Sequence, residues 1–519
     1  MDITALETHR LRLQDECDQQ RTQHERNRLG QFATPPSLAG EIVSESLRLL
    51  GRDQPIRFLD PAFGTGAFYS ALLHVSGERV VSAAGFEIDP HYGLPAQRLW
   101  VHTKLDLKIA DFTKAAVEHP SASLLICNPP YVRHHHLSAS EKGKLSRASE
   151  SLGVRLSGLA GLYCYFMVLA HRCLLPGAIS AWLVPSEFMD VNYGEAVKRY
   201  LLKQVTLLRI HRFDPAEVQF SDALVSSAVV WFRNTPPTGT ETVQMSFGGS
   251  LANPTVSCPI VVRELEAQPK WTRLPHQHPQ HAHEHLPSVK IGDLFTVKRG
   301  LATGDNGFFI LNEKQIAELG ISYRFLKPIL PSPRYLKQDI VHGDKDGVPI
   351  LDQRLFLIDC SLDEDALRKA EPALARYLAS GKKSVATGYL CSFRSPWYSQ
   401  ENRPPAPFLC TYMGRADANG GRIFRFIMNL SVATAANVYL LMYPKPAIRH
   451  SLEQPVIAKK VFDLLKNIPM QRMTSEGRVY GGGLHKLEPR ELANVPADDI
   501  AAALMNRPTK GIQLKLSTA

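Results

Sequence analysis

Between Ile56 and about Phe232, short apolar runs alternate with stretches of helical periodicity. Near-continuous apolar runs are typical of parallel strands, because crossover helices cover both faces of the sheet. The pattern therefore predicts an α/β domain with a Rossmann-like, doubly wound and mostly parallel sheet. The predicted strands are the runs IRFLD, VVSAAGFEID, LDLKIA, SLLIC, AISAWLVP, VTLLRI and SSAVVWF.

Three further segments precede or follow this pattern. Residues 1–28 are polar, mixed in charge and free of Gly and Pro, which predicts a solvated helical extension that braces the fold. Residues 248–289 are rich in Pro, Thr and His, and we expect a linker there. Residues 290–519 combine strand and turn patterns with a few helical stretches, so we expect a second, mixed α+β domain.

Composition narrows the class of protein. A chain of 519 residues with 44% apolar residues suits two or three domains, and its net charge of +10 is compatible with a polyanionic partner. The eight cysteines form no Cys-x-x-Cys pair and no apolar stretch reaches ~18 residues, so we expect a cytoplasmic protein without membrane segments. The histidine-rich tract at 276–285 is expected to be a solvated loop, and we predict no metal site.

A glycine-containing turn follows the first predicted strand, from Asp60 through Gly64 to Gly66. Glycines at a strand-to-helix turn let the backbone approach a ligand closely. Glu87 ends the next strand 21 residues after Gly66, at the spacing where a carboxylate meets ribose hydroxyls. Asp111 follows the third strand and either accepts a hydrogen bond from an adenine amino group or caps a helix. The dinucleotide-binding pattern lacks its third glycine, which favours a nucleoside cofactor over NAD.

The fourth predicted strand leads into Asn128-Pro129-Pro130-Tyr131. An aromatic amine is a poor nucleophile, because its lone pair is delocalised into the ring. The Asn128 side-chain oxygen and the Pro129 carbonyl would localise that lone pair as two hydrogen-bond acceptors, in a geometry that the prolines fix. Tyr131 would stack on the base that carries the amine. The alternative interpretation is a proline turn with an incidental tyrosine.

These motifs, with the segment LGQFATPP at 29–36, resemble the gamma-class, Eco57I-type N6-adenine DNA methyltransferases of restriction-modification systems. The resemblance spans roughly residues 29 to 233 and implies a class I S-adenosylmethionine-dependent methyltransferase domain over 29–247. It also implies, more loosely, a DNA target-recognition domain over 290–519. In this family pattern Thr34 would contact the methionine carboxylate of the cofactor. The other cofactor contacts that the resemblance implies are Asp60, Phe63, Gly64, Gly66, Glu87, Asp111, Phe112 and Phe166.

The resemblance further implies methyl transfer to N6 of an adenine flipped out of duplex DNA, with Phe220 stacking on the base opposite Tyr131. We expect a monomer whose cognate restriction endonuclease is a separate polypeptide. Contacts with DNA are expected at Arg133, His134, Lys298, Arg299, Arg478 and Lys486. Three other functions stay open: N4-cytosine DNA methylation, protein-glutamine methylation, and a non-catalytic DNA-binding specificity protein.

Overall fold

The structure of the chain is a computed structural model that describes residues 2–215, 226–274, 289–415, 422–480 and 483–505. The chain divides into two units, one built from residues 1–282 and 480–483 and the other from residues 283–479 and 484–519. Among the described helices, none combines the length and the apolar character needed to span a bilayer.

One large sheet organises the first unit. Its strands are β1 (Ile56–Asp60), β2 (Val80–Glu87), β3 (Leu105–Ile109), β4 (Ala122–Cys127), β5 (Leu174–Pro185), β6 (Thr206–Arg212), β7 (Ser227–Arg233), β8 (Thr242–Gly249) and β9 (Pro254–Val261). They follow the order β3-β2-β1-β4-β5-β7-β6-β8-β9, and β1 to β5 pair in parallel. Within the described part of this sheet, the antiparallel pairs are β5–β7, β6–β7 and β8–β9. The predicted doubly wound, mostly parallel sheet is confirmed.

Helices cover both faces of this sheet. They are α1 (Ile3–Gln19), α2 (Gln23–Leu29), α3 (Pro36–Leu50), α4 (Ala67–Ser76), α5 (Pro90–Trp100), α6 (Ala139–Glu150), α7 (Leu162–Leu169), α8 (Glu195–Lys203) and α9 (Val262–Ala267). Alternate residues of a strand point to opposite faces, and β4 shows this directly. Leu124 and Ile126 belong to one apolar cluster, whereas Leu125 and Cys127 belong to the other.

The segment expected to be a linker, 248–289, differs from that expectation over part of its length. β9 and α9 lie within it, and β9 forms the edge of the large sheet. An edge strand tolerates Pro254 and Pro259, because the N–H groups on its outer side need no partner strand. The prolines that indicated a linker are therefore compatible with an edge strand.

The N-terminal extension is helical, as expected, but it is not fully solvated. α1 packs against α4 and α5 and buries Arg10 and Cys17. The Cys17 thiol donates to the backbone oxygen of His91 at 3.5 Å. α1 is partly buried because its polar side chains form hydrogen bonds with residues of the sheet domain.

Three smaller sheets organise the described part of the second unit. A five-stranded sheet has the order β10 (Phe295–Arg299), β19 (Tyr439–Pro444), β15 (Phe408–Thr411), β17 (Phe426–Leu430), β13 (Ile340–His342). A four-stranded sheet has the order β11 (Ile310–Asn312), β14 (Leu355–Ile358), β12 (Leu326–Leu330), β18 (Thr434–Ala435). The third sheet consists of β16 (Met413–Gly414), β21 (Leu484–Lys486) and β20 (Arg478–Tyr480).

Short helices connect and cover these three sheets. They are α10 (Ile291–Leu294), α11 (Asn306–Phe309), α12 (Glu313–Leu319), α13 (Glu364–Ala370), α14 (Pro372–Ser380), α15 (Tyr389–Ser392), α16 (Pro446–Leu452), α17 (Pro455–Asn467), α18 (Met470–Glu476), α19 (Pro489–Ala493) and α20 (Asp498–Met505). The expected mixed α+β character of this part of the chain is confirmed.

Candidate active site

A cavity of about 950 Å³ opens where the parallel strands of the first unit end. Ligands of open α/β sheets bind at this edge, near the point where the strand order reverses, here between β1 and β4. The segments that follow β1, β2, β3 and β4 each contribute to its wall. Of the predicted site residues, those that line the cavity are Gly64, Glu87, Asp111, Phe112, Asn128, Pro130 and Phe166.

Glu87 ties the glycine turn to the end of β2. Its carboxylate accepts hydrogen bonds from the backbone nitrogens of Gly64 and Asp89, each at 2.8 Å. Burial raises the pKa of the Glu87 carboxyl, although these backbone donors partly oppose the shift. Each carboxylate oxygen has a further lone pair, so Glu87 can accept hydrogen bonds from a ligand in the cavity.

Gly66 and Phe63 support the turn from the side of the core. Gly66 has a φ of +94°, and a Cβ there would lie 2.7 Å from the Phe63 ring and 2.8 Å from Nε1 of Trp100. Phe63 is buried in the core cluster, and neither Phe63 nor Gly66 is among the described residues that line the cavity. In this arrangement the two residues shape the turn, and direct contact with a cofactor stays a prediction.

Asp60 holds the same turn from the end of β1. Its carboxylate accepts a hydrogen bond from the backbone nitrogen of Ala62 at 3.0 Å. Burial raises the pKa of Asp60 to about 7, and the negative charge of Glu87 adds to the shift. Asp60 is not among the described residues lining the cavity, so its expected contact with a cofactor also stays a prediction.

Asp111 both caps a turn and lines the cavity, so the two alternatives for this residue are compatible. Its carboxylate accepts from the backbone nitrogen and the hydroxyl of Thr113, at 3.0 and 2.7 Å, and pairs with Lys114 at 2.9 Å. Burial alone would raise the pKa of Asp111, but hydrogen bonds from Thr113 and Lys114 outweigh it and lower the pKa. The group is therefore an ionised acceptor at neutral pH.

Two aromatic rings form an apolar wall beside Asp111. The rings of Phe112 and Phe166 have centroids 5.5 Å apart, and both residues line the cavity. Leu145 and Leu162 extend this wall. A flat, apolar surface next to a hydrogen-bond acceptor suits a purine ring with an exocyclic amine.

The Asn128 side chain has its nitrogen end held by hydrogen bonds and its oxygen end without a partner among the described residues. Its amide nitrogen donates to the backbone oxygen of Phe32 at 3.0 Å and to the Thr34 hydroxyl at 3.1 Å. Because the Phe32 carbonyl can only accept, the NH₂ end must face it. The Asn128 side-chain oxygen is buried and has no hydrogen-bond partner within the described part of the chain. A buried acceptor without a donor is costly unless a ligand supplies one.

Thr34 therefore contacts Asn128 in this structure. Thr34 is 8% exposed and is not among the described residues lining the cavity. Its expected contact with the methionine carboxylate stays a prediction. The hydroxyl instead orients the carboxamide of the motif at 128–131.

Tyr131 lies at the end of that motif with its hydroxyl in the protein interior. The hydroxyl donates to the backbone oxygen of Leu183 at 3.1 Å, and the ring centroid is 5.6 Å from that of Phe32. Burial raises the pKa of Tyr131 well above its usual range. Tyr131 is not among the described lining residues, whereas Pro130 is, and Pro129 is buried.

Gly30 lets the segment before α3 approach the motif closely. The Tyr131 backbone nitrogen donates to the Gly30 oxygen at 3.2 Å. Gly30 has a φ of +67°, and a Cβ there would clash with the Tyr131 backbone nitrogen. Only glycine fits both conditions, which explains the glycine of the LGQFATPP segment.

Polar residues near the N-terminus, which the sequence did not single out, also line the cavity. They come from α1, α2 and the turn between them: Gln14, Asp18, Arg21 and Arg28. The signal that could have found Gln14 and Asp18 is their spacing, since positions i and i+4 share one face of a helix.

Basic side chains follow the 128–131 motif. Arg133 is exposed and His134 half-buried, while His135 and His136 line the cavity. Desolvation lowers the pKa of His135, and the neighbouring positive charges lower it further. The Arg133 guanidinium and the imidazole N–H groups could donate hydrogen bonds to a phosphate group, and phosphate contact by Arg133 and His134 stays a prediction.

In the second unit, two of the predicted DNA-contact residues flank one tyrosine. The Arg299 guanidinium lies 4.1 Å from the centre of the Tyr412 ring, and the Lys486 ammonium lies 5.2 Å from it. Lys298 is exposed on the same strand as Arg299. Arg478 instead donates to buried Glu491 at 2.8 Å, a contact that holds the fold together.

Two predicted features fall outside the described residues. Phe220 and the histidine-rich tract at 276–285 belong to segments that the structure does not describe. Among the described residues, no group of three or more His, Cys, Asp or Glu side chains could hold a metal ion. No disulfide joins the eight cysteines, all of which are described.

The lining fits S-adenosylmethionine in chemical character. Glu87 offers acceptors for ribose hydroxyls, and Phe112 and Phe166 offer an apolar surface for adenine beside the carboxylate of Asp111. Asn128 lines the same cavity, and its buried carboxamide oxygen lacks a donor within the described residues.

Comparison with known proteins identifies the family. Residues 106–219 match the Eco57I restriction-modification methylase, and residues 275–516 match the C-terminal domain of the Type II methyltransferase M.Eco57I. The chain is 29% identical over 482 residues to the Type II methyltransferase M.XamI of Xanthomonas campestris pv. amaranthicola, over 90% of this chain and 85% of that one. It is 26% identical over 485 residues to M.AccI of Acinetobacter calcoaceticus, with the same coverage of each chain.

A solved structure has the same fold. The Type IIL restriction-modification enzyme MmeI, in complex with DNA, aligns with a TM-score of 0.52 and 12% identity over 89% of this chain and 64% of that one. The expected cofactor is confirmed as S-adenosylmethionine by the fold and the family together. The chain thus belongs to the Eco57I-type methyltransferase family and is a DNA methyltransferase of the restriction-modification type.

Proposed function

We propose that this protein methylates N6 of an adenine that is flipped out of duplex DNA. The methylated site would be protected from a separate cognate restriction endonuclease, and the reaction would take place in the cytoplasm. The observation that carries the proposal is the Asn128 carboxamide, whose nitrogen is bound by Phe32 and Thr34 and whose oxygen lacks a donor within the described residues.

The Asn128 oxygen and the Pro129 carbonyl act as acceptors for the two hydrogens of the exocyclic amine. Accepting both hydrogens shifts electron density back to nitrogen and orients the lone pair for attack. Because Phe32 and Thr34 fix the carboxamide in advance, little reorganisation is needed when the base arrives. The cofactor supplies the electrophilic methyl group, and the amine proton that is lost passes to water.

No covalent enzyme intermediate is needed for this transfer. Cys127 precedes Asn128, but it is fully buried in β4. Burial raises the pKa of its thiol well above the usual range, and the neighbouring charge of Asp60 adds to the shift. A buried, protonated thiol is a poor nucleophile, which supports direct transfer.

Flipping the base costs a few kcal/mol, and stacking on aromatic side chains offsets about 1–3 kcal/mol per base. We propose Tyr131 and Phe220 as the two stacking rings. Replacing Phe220 with Ala should reduce the fluorescence increase of a 2-aminopurine placed at the target position. An unchanged increase would exclude Phe220 from the base site.

We propose that residues of the second unit contact the backbone and the bases of DNA. Arg299 and Lys486 bring positive charge close to the Tyr412 ring, and Lys298 extends this basic surface. Lys486 is also paired with Glu488 at 2.8 Å. Arg133 and His134 would contact phosphates near the flipped nucleotide. Arg478 is a weaker candidate, because Glu491 already binds its guanidinium.

Product analysis tests the proposal. Purified protein is incubated with tritiated S-adenosylmethionine and unmethylated duplex DNA. The DNA is then digested, and the labelled nucleosides are separated and identified by mass. We expect N6-methyldeoxyadenosine from the unaltered protein. N4-methyldeoxycytidine would assign the enzyme to cytosine instead. Label in added release-factor protein, or none in DNA, would support protein methylation or a non-catalytic role.

A further inference from the structure

We propose that α1 is a wall of the cofactor-binding site and that Gln14, Asp18 and Arg21 bind the sugar and methionine side of S-adenosylmethionine. The inference concerns how the cofactor is held and goes beyond the proposed reaction on adenine. It is carried by the cavity lining and by two sets of hydrogen bonds that fix α1 in place.

Two of the three side chains belong to one face of the N-terminal helix. Gln14 and Asp18 line the cavity at positions i and i+4 of α1, and Arg21, which lies two residues after the end of that helix, lines it too. Other positions of the helix are open to solvent, since Arg12 and Asp15 are exposed. The helix therefore presents a polar strip to the cavity and other polar side chains to water.

The first set of hydrogen bonds joins α1 to the glycine turn. The Thr65 hydroxyl donates to the Gln14 side-chain oxygen at 2.7 Å and accepts from the Arg10 guanidinium at 3.2 Å. Arg10 is 2% exposed and is held by Glu7 through two hydrogen bonds of 2.7 Å. Thr65 lies between the two glycines of the turn, so the position of α1 and the shape of the turn depend on each other.

The second set joins α1 and the residues after it to the end of β2. The Tyr92 hydroxyl donates to the Asp18 carboxylate at 2.8 Å, and Arg21 pairs with Asp89 at 2.6 Å. Asp89 also accepts from the Gln31 amide at 2.8 Å. Asp89 and Asp18 thus both accept from protein donors, Asp18 from Tyr92 and from the Gln14 amide at 3.0 Å, and each carboxylate keeps further lone pairs for a ligand.

These contacts place the polar strip beside Glu87. The aromatic wall consists of Phe112, which follows β3, and Phe166, which belongs to α7. Its apolar surface suits the adenine of the cofactor. The remaining parts of the cofactor are two ribose hydroxyls, an ammonium and a carboxylate. A carboxylate, an amide and a guanidinium together offer the acceptors and donors that such a set requires.

Cofactor binding and the packing of α1 against the rest of the domain are then linked. If the cofactor contacts α1, packing of the helix strengthens cofactor binding by a certain factor. The bound cofactor must then stabilise the packed helix by the same factor. Amide hydrogen exchange within α1 should therefore slow when cofactor is present. A helix that neither contacts the cofactor nor is coupled to the glycine turn would show no such response.

Two measurements on the full chain, both without DNA, test the inference. Calorimetric titration with S-adenosylmethionine should show at least about a fivefold weaker Kd for Asp18→Ala and less than a twofold change for Asp15→Ala, its exposed counterpart on the same helix. Hydrogen exchange of residues 3–19 in the unaltered protein should slow when S-adenosylhomocysteine is added.

Equal Kd values for Asp18→Ala and Asp15→Ala would overturn the inference, and so would exchange in α1 that ignores S-adenosylhomocysteine. If Asp18→Ala fails to fold, judged by thermal melting, the exchange measurement on the unaltered protein decides alone. Because neither measurement involves methyl transfer, a failure here is distinct from a failure of the proposed reaction on adenine.

Discussion

The amide nitrogen of Asn128 donates to the hydroxyl of Thr34 at 3.1 Å, although the two residues are 94 positions apart in the chain. This bond joins the segment before α3 to the loop after β4. It leaves the Asn128 side-chain oxygen as an acceptor without a donor among the described residues. The LGQFATPP segment therefore orients the carboxamide of Asn128.

Replacing Thr34 with Val tests that role. Valine keeps the shape of threonine but removes one of two acceptors for the Asn128 amide, so we expect methyl transfer to slow by about 3- to 10-fold. That range corresponds to the net ~0.5–1.5 kcal/mol of one hydrogen bond. The rate is measured in a single turnover, and the cofactor Kd by calorimetry. Thr34→Ser is the control and should retain the rate.

The same experiment separates two roles for Thr34. If the hydroxyl positions Asn128, the rate falls and the cofactor Kd stays nearly constant. A weaker cofactor Kd with an unchanged single-turnover rate would contradict the positioning role and favour contact with the methionine carboxylate.

Asp60→Asn should reduce the dependence of stability on pH. Burial raises the pKa of Asp60 to about 7, compared with about 3.9 in an unfolded chain. The native state thus holds a proton that the unfolded state has lost, and the stability this provides is full below about pH 4 and is lost as pH rises through about 7. Asparagine stays neutral throughout.

Urea unfolding at pH 5 and pH 8 measures this effect. We expect the drop in unfolding free energy between the two pH values to be about 2–3 kcal/mol smaller in Asp60→Asn than in the unaltered protein, at ~1.4 kcal/mol per pH unit. Identical drops in both proteins would show that Asp60 is already ionised in the folded state.

Arg299→Ala should weaken DNA binding and its dependence on salt. The exposed guanidinium lies over Tyr412 and is a candidate phosphate or base contact. Loss of one phosphate contact lowers the slope of log K against log salt by about 1. Titration of labelled duplex at several salt concentrations measures the slope.

Arg368→Ala provides a matched control for Arg299. Arg368 is an exposed arginine of the second unit that pairs with Glu364 and Asp365 on its own helix. We expect it to leave both the affinity and the slope unchanged. Equal effects of the two substitutions would remove Arg299 from the DNA-contact surface.

The apolar runs predicted the sheet because burial on both faces leaves a direct mark in the sequence. β4 is an example, since Leu124 and Leu125 point to opposite faces and are both fully buried. β9 left no such mark. Its burial alternates along an edge, and its two prolines resembled those of a linker.

Site residues were predictable where the chemistry depends on residue type at a fixed position. Glu87 and Asn128 follow strands, and parallel strands bring their ends together. The pairing of Thr34 with Asn128 was not predictable in this way, because a contact over 94 positions depends on how two loops pack. Asp18 was overlooked because a polar helix carries no motif, and contacts such as its hydrogen bond from Tyr92 show which face of α1 packs on the domain.

The most direct test of the central claim is the single-turnover methylation rate of Asn128→Ala, measured beside its cofactor Kd. Removing a positioned acceptor should slow transfer by about 10²–10³-fold, while the Kd for S-adenosylmethionine changes little. Asn253→Ala, at an exposed asparagine of the same unit, should retain the unaltered rate. A rate for Asn128→Ala within a few-fold of the unaltered protein would contradict the claim that this side-chain oxygen activates the amine.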